Sequence, residues 1–167
     1  MTKHGPSINL GDFRPREEPV LEFTPKHPDY EAKVRASFAA QQAMPYLGMT
    51  IERVAPGAVE TALVNRPELT QQLGALHGSF VTALADGAAG YAAMTLMPAD
   101  AEVVTVELKI NFLRPALGER FVARGRVLKP GRTLSICQGD VYGVTGDRET
   151  HVATLVATMM QVANEAH

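Results

Sequence analysis

The sequence predicts an α+β fold in which an antiparallel sheet packs against one long helix of small residues. Three observations predict it. Residues 104–112 alternate with period two: Val104, Val106, Leu108, Ile110 and Phe112 on one face, and Thr105, Glu107, Lys109 and Asn111 on the other. Three further strand-like runs follow, separated by short turns at Pro130-Gly131 and Gly146. Before them, residues 80–97 are mostly Ala, Gly, Thr and Met, a composition that suits a helix lying close to a sheet.

Residues 1–28 carry Pro6, Pro15, Pro19, Pro25 and Pro28, so no regular element can run through them, and an extended arm is expected. The remainder, 29–167, is expected to form a single domain. In 29–44, Tyr30, Val34 and Phe38 recur at i+4, which predicts a helix stopped by Pro45. Residues 47–54 and 58–64 predict two strands around a turn at Pro56-Gly57. The segment 70–76 then leads through His77-Gly78-Ser79 into the long helix, which ends near Met97 ahead of Pro98. The last four strands are expected at 104–112, 119–129, 133–144 and about 149–162.

Composition narrows the function classes. The chain has 167 residues, 46% of them hydrophobic and 20% charged, as in ordinary soluble globular proteins. Its formal charge of −2 offers no concentrated basic face, so no nucleic-acid partner is expected. One cysteine, Cys137, precludes an intramolecular disulfide and suits a reducing compartment. With no basic-then-apolar leader at the start, a cytoplasmic location is expected. No membrane span is expected either: Asp86 sits in the middle of the 80–97 run, at a cost of about 2.5–3.5 kcal/mol at a bilayer centre. Nor does the spacing of His4, His27, His77, His151 and His167 suggest a metal site.

Asp86 is the most informative residue, because its neighbours from Ala83 to Gly90 are otherwise apolar or tiny. A carboxylate in such surroundings must be paired, protonated or placed at a cavity. It can hold the fold by bonding backbone groups, or serve as a base or nucleophile with a raised pKa. His77-Gly78 stands at the helix start, where free N–H groups and the positive end of the helix dipole can receive an oxyanion or a polarised carbonyl. The plainer reading makes His77 a cap and Gly78 a turn residue. From His77 to Asp86, nine residues give about 900° of rotation and roughly 13.5 Å of rise. The two therefore lie on opposite sides of one helix. If both are catalytic, they meet only across two subunits, in a dimer with composite sites.

Leu76-His77-Gly78-Ser79, Ala83-Leu84-Ala85-Asp86 and the run from Thr105 to Ala116 together resemble the PaaI-type (phenylacetate-pathway) acyl-CoA thioesterases of the hot-dog superfamily. Gly131-Arg132-Thr133-Leu134 also fits, and the similarity covers residues 45–162. The resemblance implies a hot-dog fold, a sheet curled around the long helix, with edge-to-edge homodimers that often pair into homotetramers. It implies that Gly78 polarises the thioester carbonyl through its N–H and that Asp86 acts from the neighbouring subunit as base or nucleophile. His77 would orient the site, and Thr105 would help place the attacking water. Two positions depart from the family: Ser79 replaces a second Gly, and Gln71 stands where relatives commonly carry Asn.

The implied reaction is hydrolysis of acyl-CoA to free acid and CoA, with no cofactor, since CoA is part of the substrate. Arg114, Arg132 and Lys129 are candidates for its phosphates, with Arg126 nearby in sequence. Tyr91 and Met94 are candidates for the acyl-pocket wall. Two other readings are a hot-dog hydratase or dehydratase acting at the β-carbon, and a non-catalytic acyl-CoA binding protein.

Overall fold

The structure, a computed structural model, describes residues 22–163. The expected arm therefore lies largely outside the described residues; 22–28 contain neither helix nor strand. Helix α1 (Tyr30–Ala40) and the short α2 (Ala43–Leu47) precede a hairpin, β1 (Met49–Ala55) and β2 (Ala58–Val64). A 3-10 turn, Pro67–Leu69, leads to the central helix α3 (Gly78–Met94). Four strands follow: β3 (Ala101–Phe112), β4 (Arg120–Lys129), β5 (Leu134–Thr145) and β6 (Arg148–Ala163). They join the hairpin in one antiparallel six-stranded sheet of order β1-β2-β4-β5-β6-β3, packed on α3, as the hot-dog expectation requires.

Pro45 does not stop a long helix, contrary to expectation. Gln41 is already extended (φ −75°, ψ 127°), and Pro45 sits in the first turn of α2. A proline there loses no hydrogen bond, because the N–H it lacks would be an orphan of the helix start. Helix α3 likewise ends three residues earlier than expected. Thr95 accepts the Gly57 N–H through its hydroxyl (2.7 Å) and donates to the Ala92 carbonyl (2.7 Å), tying the helix end to the β1–β2 turn.

Small residues let the helix touch the sheet through backbone. Ala85, Ala88 and Ala89 are fully buried, and they face glycines on the two middle strands. A Cβ on Gly139 would lie 2.7 Å from the Ala85 carbonyl oxygen, and one on Gly125 would overlap the Ala88 carbonyl outright. Backbone cannot step aside as a flexible side chain can. Gly125→Ala is therefore expected to destabilise the fold by about 1–3 kcal/mol or more, read as a lower denaturation midpoint.

The faces of β3 are not those expected from strict alternation. Pairing with β6 runs Thr105↔Met159, then Glu107↔Thr158, so Val106 is an extra, bulged residue. One inserted residue shifts the alternation by one position. Thr105 therefore shares a face with Leu108, Ile110 and Phe112, the face turned toward α3. The bulge delivers a threonine hydroxyl to the helix.

Among the described residues strand β3 pairs only with β6, which leaves its other edge open. That edge strand is long and carries exposed Val104, Val106 and Leu108 (42, 53 and 38% accessible). Such an edge is a template for another strand. Among the described residues no helix is long and apolar enough to cross a membrane.

Candidate active site

The start of α3 is built by the loop that precedes it. Gln71 N–H donates to Ala75 O (2.8 Å), Gly74 N–H to Gln71 O (2.9 Å), and His77 N–H to Leu69 O (2.9 Å). Leu76 N–H donates to Ala116 O (2.9 Å), fastening the loop to the segment after β3. His77 is the helix cap. Its Nδ1 accepts the Ser79 N–H at 3.2 Å and lies 2.7 Å from Ser79 Oγ. An amide can only donate, so neutral His77 carries its proton on Nε2. Ser79, one of the two departures from the family pattern, thus has a definite partner.

Gly78 is the first residue of the helix, and its N–H finds no acceptor among the described residues. It opens on a cleft of about 490 Å³ whose walls include Gln71, Val81, Phe112, Leu113 and Arg114. A Cβ on Gly78 would come within 3.2 Å of Phe112 Cζ, so glycine leaves room between the backbone and that ring. The Gln71 side-chain oxygen accepts the Leu73 N–H. The structure therefore brings Gln71, Gly78 and Arg114 to one cleft.

Asp86 lies elsewhere on the helix, beside β3. Thr105 Oγ1 donates to Asp86 Oδ1 at 2.9 Å, and Oδ2 has no hydrogen bond among the described residues. Burial pushes the Asp86 carboxyl above its ordinary pKa, and the Thr105 bond opposes that shift without cancelling it. Here the bulge at Val106 has its effect, for without it Thr105 would face away.

The expected placement of His77 and Asp86 on opposite sides of one helix needs correction. His77 is extended (φ −63°, ψ 138°) and outside the helix, so rotation counts from Gly78. Eight residues give about 80° of net rotation and roughly 12 Å of rise. It is axial distance, not opposite facing, that separates the amide from the carboxylate within a chain.

The remaining candidates divide. Arg114 reaches the Gly78 cleft, held through Nη1 to His151 O (2.9 Å). Lys129 and Arg132 are exposed at the β4–β5 turn, at the end of the sheet where α3 finishes, away from Gly78. Tyr91 and Met94 are core residues at 2 and 1% accessibility, and Tyr91 stacks edge-on with Phe38 and accepts a hydrogen bond from Gln41. They are not a pocket wall. Phe112, the ring over Gly78, was read only as a strand residue; its place at the end of the 104–112 pattern was the available signal.

Comparison with known proteins places the chain in a family. Residues 73–149, which include Gly78, Asp86 and Thr105, match the family model of the thioesterase superfamily. A thioesterase family protein from Silicibacter pomeroyi is 46% identical and superposes with a TM-score of 0.79, over 81% of this chain and 99% of its own. Human acyl-coenzyme A thioesterase 13 is 33% identical over 94 residues, 56% of this chain and 66% of its own. The Escherichia coli PaaI protein, 18% identical, shares the fold with a TM-score of 0.72 over 80% of this chain and 94% of its own. The chain thus belongs to the thioesterase superfamily, as a thioester hydrolase with the hot-dog fold that the PaaI protein shares.

Proposed function

We propose that this enzyme hydrolyses acyl-CoA thioesters at composite sites, two per homodimer, each built from Gly78 of one chain and Asp86 of the partner subunit. One observation carries the proposal: the two halves of the site are tethered to opposite parts of the open edge strand. Asp86 is bonded to Thr105, and Gly78 adjoins Phe112, near the strand's end. Antiparallel pairing of two β3 strands about a two-fold axis midway between these positions sets Thr105 of each chain beside Phe112 of the other. The carboxylate then comes to the amide it cannot reach along its own helix.

In such a site the thioester carbonyl accepts the Gly78 N–H, with the helix dipole behind it, and charge developing on that oxygen is stabilised. Asp86 of the partner subunit either takes a proton from water as the water oxygen attacks the carbonyl carbon, or attacks that carbon itself to form an anhydride that water then cleaves. In both routes the C–S bond breaks, and the thiolate leaves as CoA. Thr105 holds one carboxylate oxygen so that the other faces the substrate. The acyl-CoA specificity is supported by the human relative named an acyl-coenzyme A thioesterase.

A panel of acyl-CoA substrates followed by thiol release tests the reading directly. It should include a crotonyl thioester, because hydration of that double bond without thiol release would replace hydrolysis by a hydratase activity. CoA binding with neither reaction would leave a binding protein.

The acid limb of the pH profile tests the base. Only the ionised carboxylate acts, and burial raises its pKa, so kcat/KM should fall with decreasing pH above the usual aspartate range. Thr105→Val removes the bond that lowers that pKa, and the limb should move to still higher pH. A limb unmoved by that change would separate Thr105 from the carboxylate's titration.

A further inference from the structure

A second cleft, of about 440 Å³, adjoins the Gly78 cleft at the β5–β6 end of the sheet. Its walls include Arg114, Pro115, Leu117, Thr145, Arg148 and Thr150, and it shares Arg114 and Pro115 with the first. Two guanidinium groups and two hydroxyls line it, and no carboxylate does. The neighbouring acids are turned to other work. Glu149 is held by Arg124 through two bonds of 2.7 and 2.8 Å, and Glu119 accepts the Gly146 N–H at 3.4 Å. Asp147 lies in the turn itself, outside the lining.

Arg114 is oriented by its bond to His151 O, which leaves most of its donors free to point into solvent. The Arg148 side chain makes no ion pair or hydrogen bond among the described residues. An exposed arginine with no carboxylate to satisfy it, beside a second arginine and two hydroxyls, is suited to a phosphate, which takes bidentate guanidinium bonds.

We propose that this cleft binds the phosphate groups of the CoA carrier, with Arg148 as a principal contact and Arg114 at the junction of the two clefts. The inference rests on the acyl-CoA reading of the Gly78 site. The carrier's pantetheine arm would run from Gly78 past Arg114, and its phosphates would end against Arg148, Thr145 and Thr150. Arg148 is a binding residue only; it has no part in the chemistry at the carbonyl.

The test compares one acyl group on three carriers: CoA, dephospho-CoA and pantetheine. Arg148→Ala should raise KM for the acyl-CoA about tenfold, an effect on ground-state binding, with kcat unchanged. It should leave the acyl-pantetheine, which has no phosphate, unaffected. The dephospho-CoA arm tells which phosphate is held: loss of the effect there assigns Arg148 to the 3′-phosphate, and its persistence assigns it to the diphosphate. Equal shifts for CoA and pantetheine carriers, or no shift for either, overturn the proposal. If the parent enzyme cleaves none of the three, the acyl-CoA reading fails instead. Calorimetry with free CoA then still reads the cleft: weaker binding by Arg148→Ala sustains it, and equal binding ends it.

Discussion

Asp86→Asn is expected to lower kcat by about 10²–10⁴-fold, with the folded chain no less stable at neutral pH. Asn keeps the size of the side chain and can still accept the Thr105 hydroxyl bond seen at 2.9 Å. What it loses is the ability to take a proton or attack a carbonyl. The stability expectation follows from the direction of the pKa shift. Burial raises the folded-state pKa, so the protonated group is favoured in the folded chain. Its contribution is full below the unfolded-chain pKa and is lost as pH rises through the folded value. Above that folded value the parent carries an ionised group that folding disfavours, and Asn, neutral throughout, does not. Steady-state kinetics on the best acyl-CoA, with a thermal melt alongside, checks both halves. Turnover within a few-fold of the parent would remove Asp86 from the reaction.

Gly78→Pro should cost about 10²–10³-fold in kcat, the scale of losing one oxyanion donor. The helix itself tolerates this change. Gly78 is the first helical residue, where proline's fixed φ suits and its missing N–H breaks no bond within the helix. His77 is already extended at φ −63°, ψ 138°, the conformation a following proline demands. The variant thus deletes one amide hydrogen and adds a ring whose Cβ meets Phe112 as an alanine's would. Gly78→Ala is the control: it keeps the N–H and adds a methyl group 3.2 Å from Phe112 Cζ, where a 55%-exposed ring can give way. Equal losses in both variants would point to crowding rather than to the missing donor.

The hairpin and the four later strands were legible because Pro-Gly and Gly mark their turns, and because the clearest run, 104–112, alternates with period two in sequence. The bulge at Val106 was not, since nothing in Val104-Thr105-Val106-Glu107 distinguishes a bulged valine from a paired one. It is set by the pairing with β6, a long-range matter. Thr105 was therefore placed on the wrong face by alternation, although the family resemblance gave it a site role. His77 as cap depends on a local hydrogen bond to Ser79, which the spacing permitted but did not require. Arg148 was missed because its cleft forms between strand ends far apart in sequence, from Arg114 to Thr150. Lys129 and Arg132 entered the reading through their place at a turn between strands, and they do lie at the β4–β5 turn.

The composite site is tested most directly by mixing two inactive chains. Asp86→Asn retains the amide, and Gly78→Pro retains the carboxylate. A heterodimer of the two unites one intact amide with one intact carboxylate across the chain boundary. Co-expressed with different tags and purified through both, such heterodimers should recover about half of the parent's turnover per dimer, one site in two. Mixed dimers as inactive as either variant alone would place amide and carboxylate in the same chain's site and contradict the account.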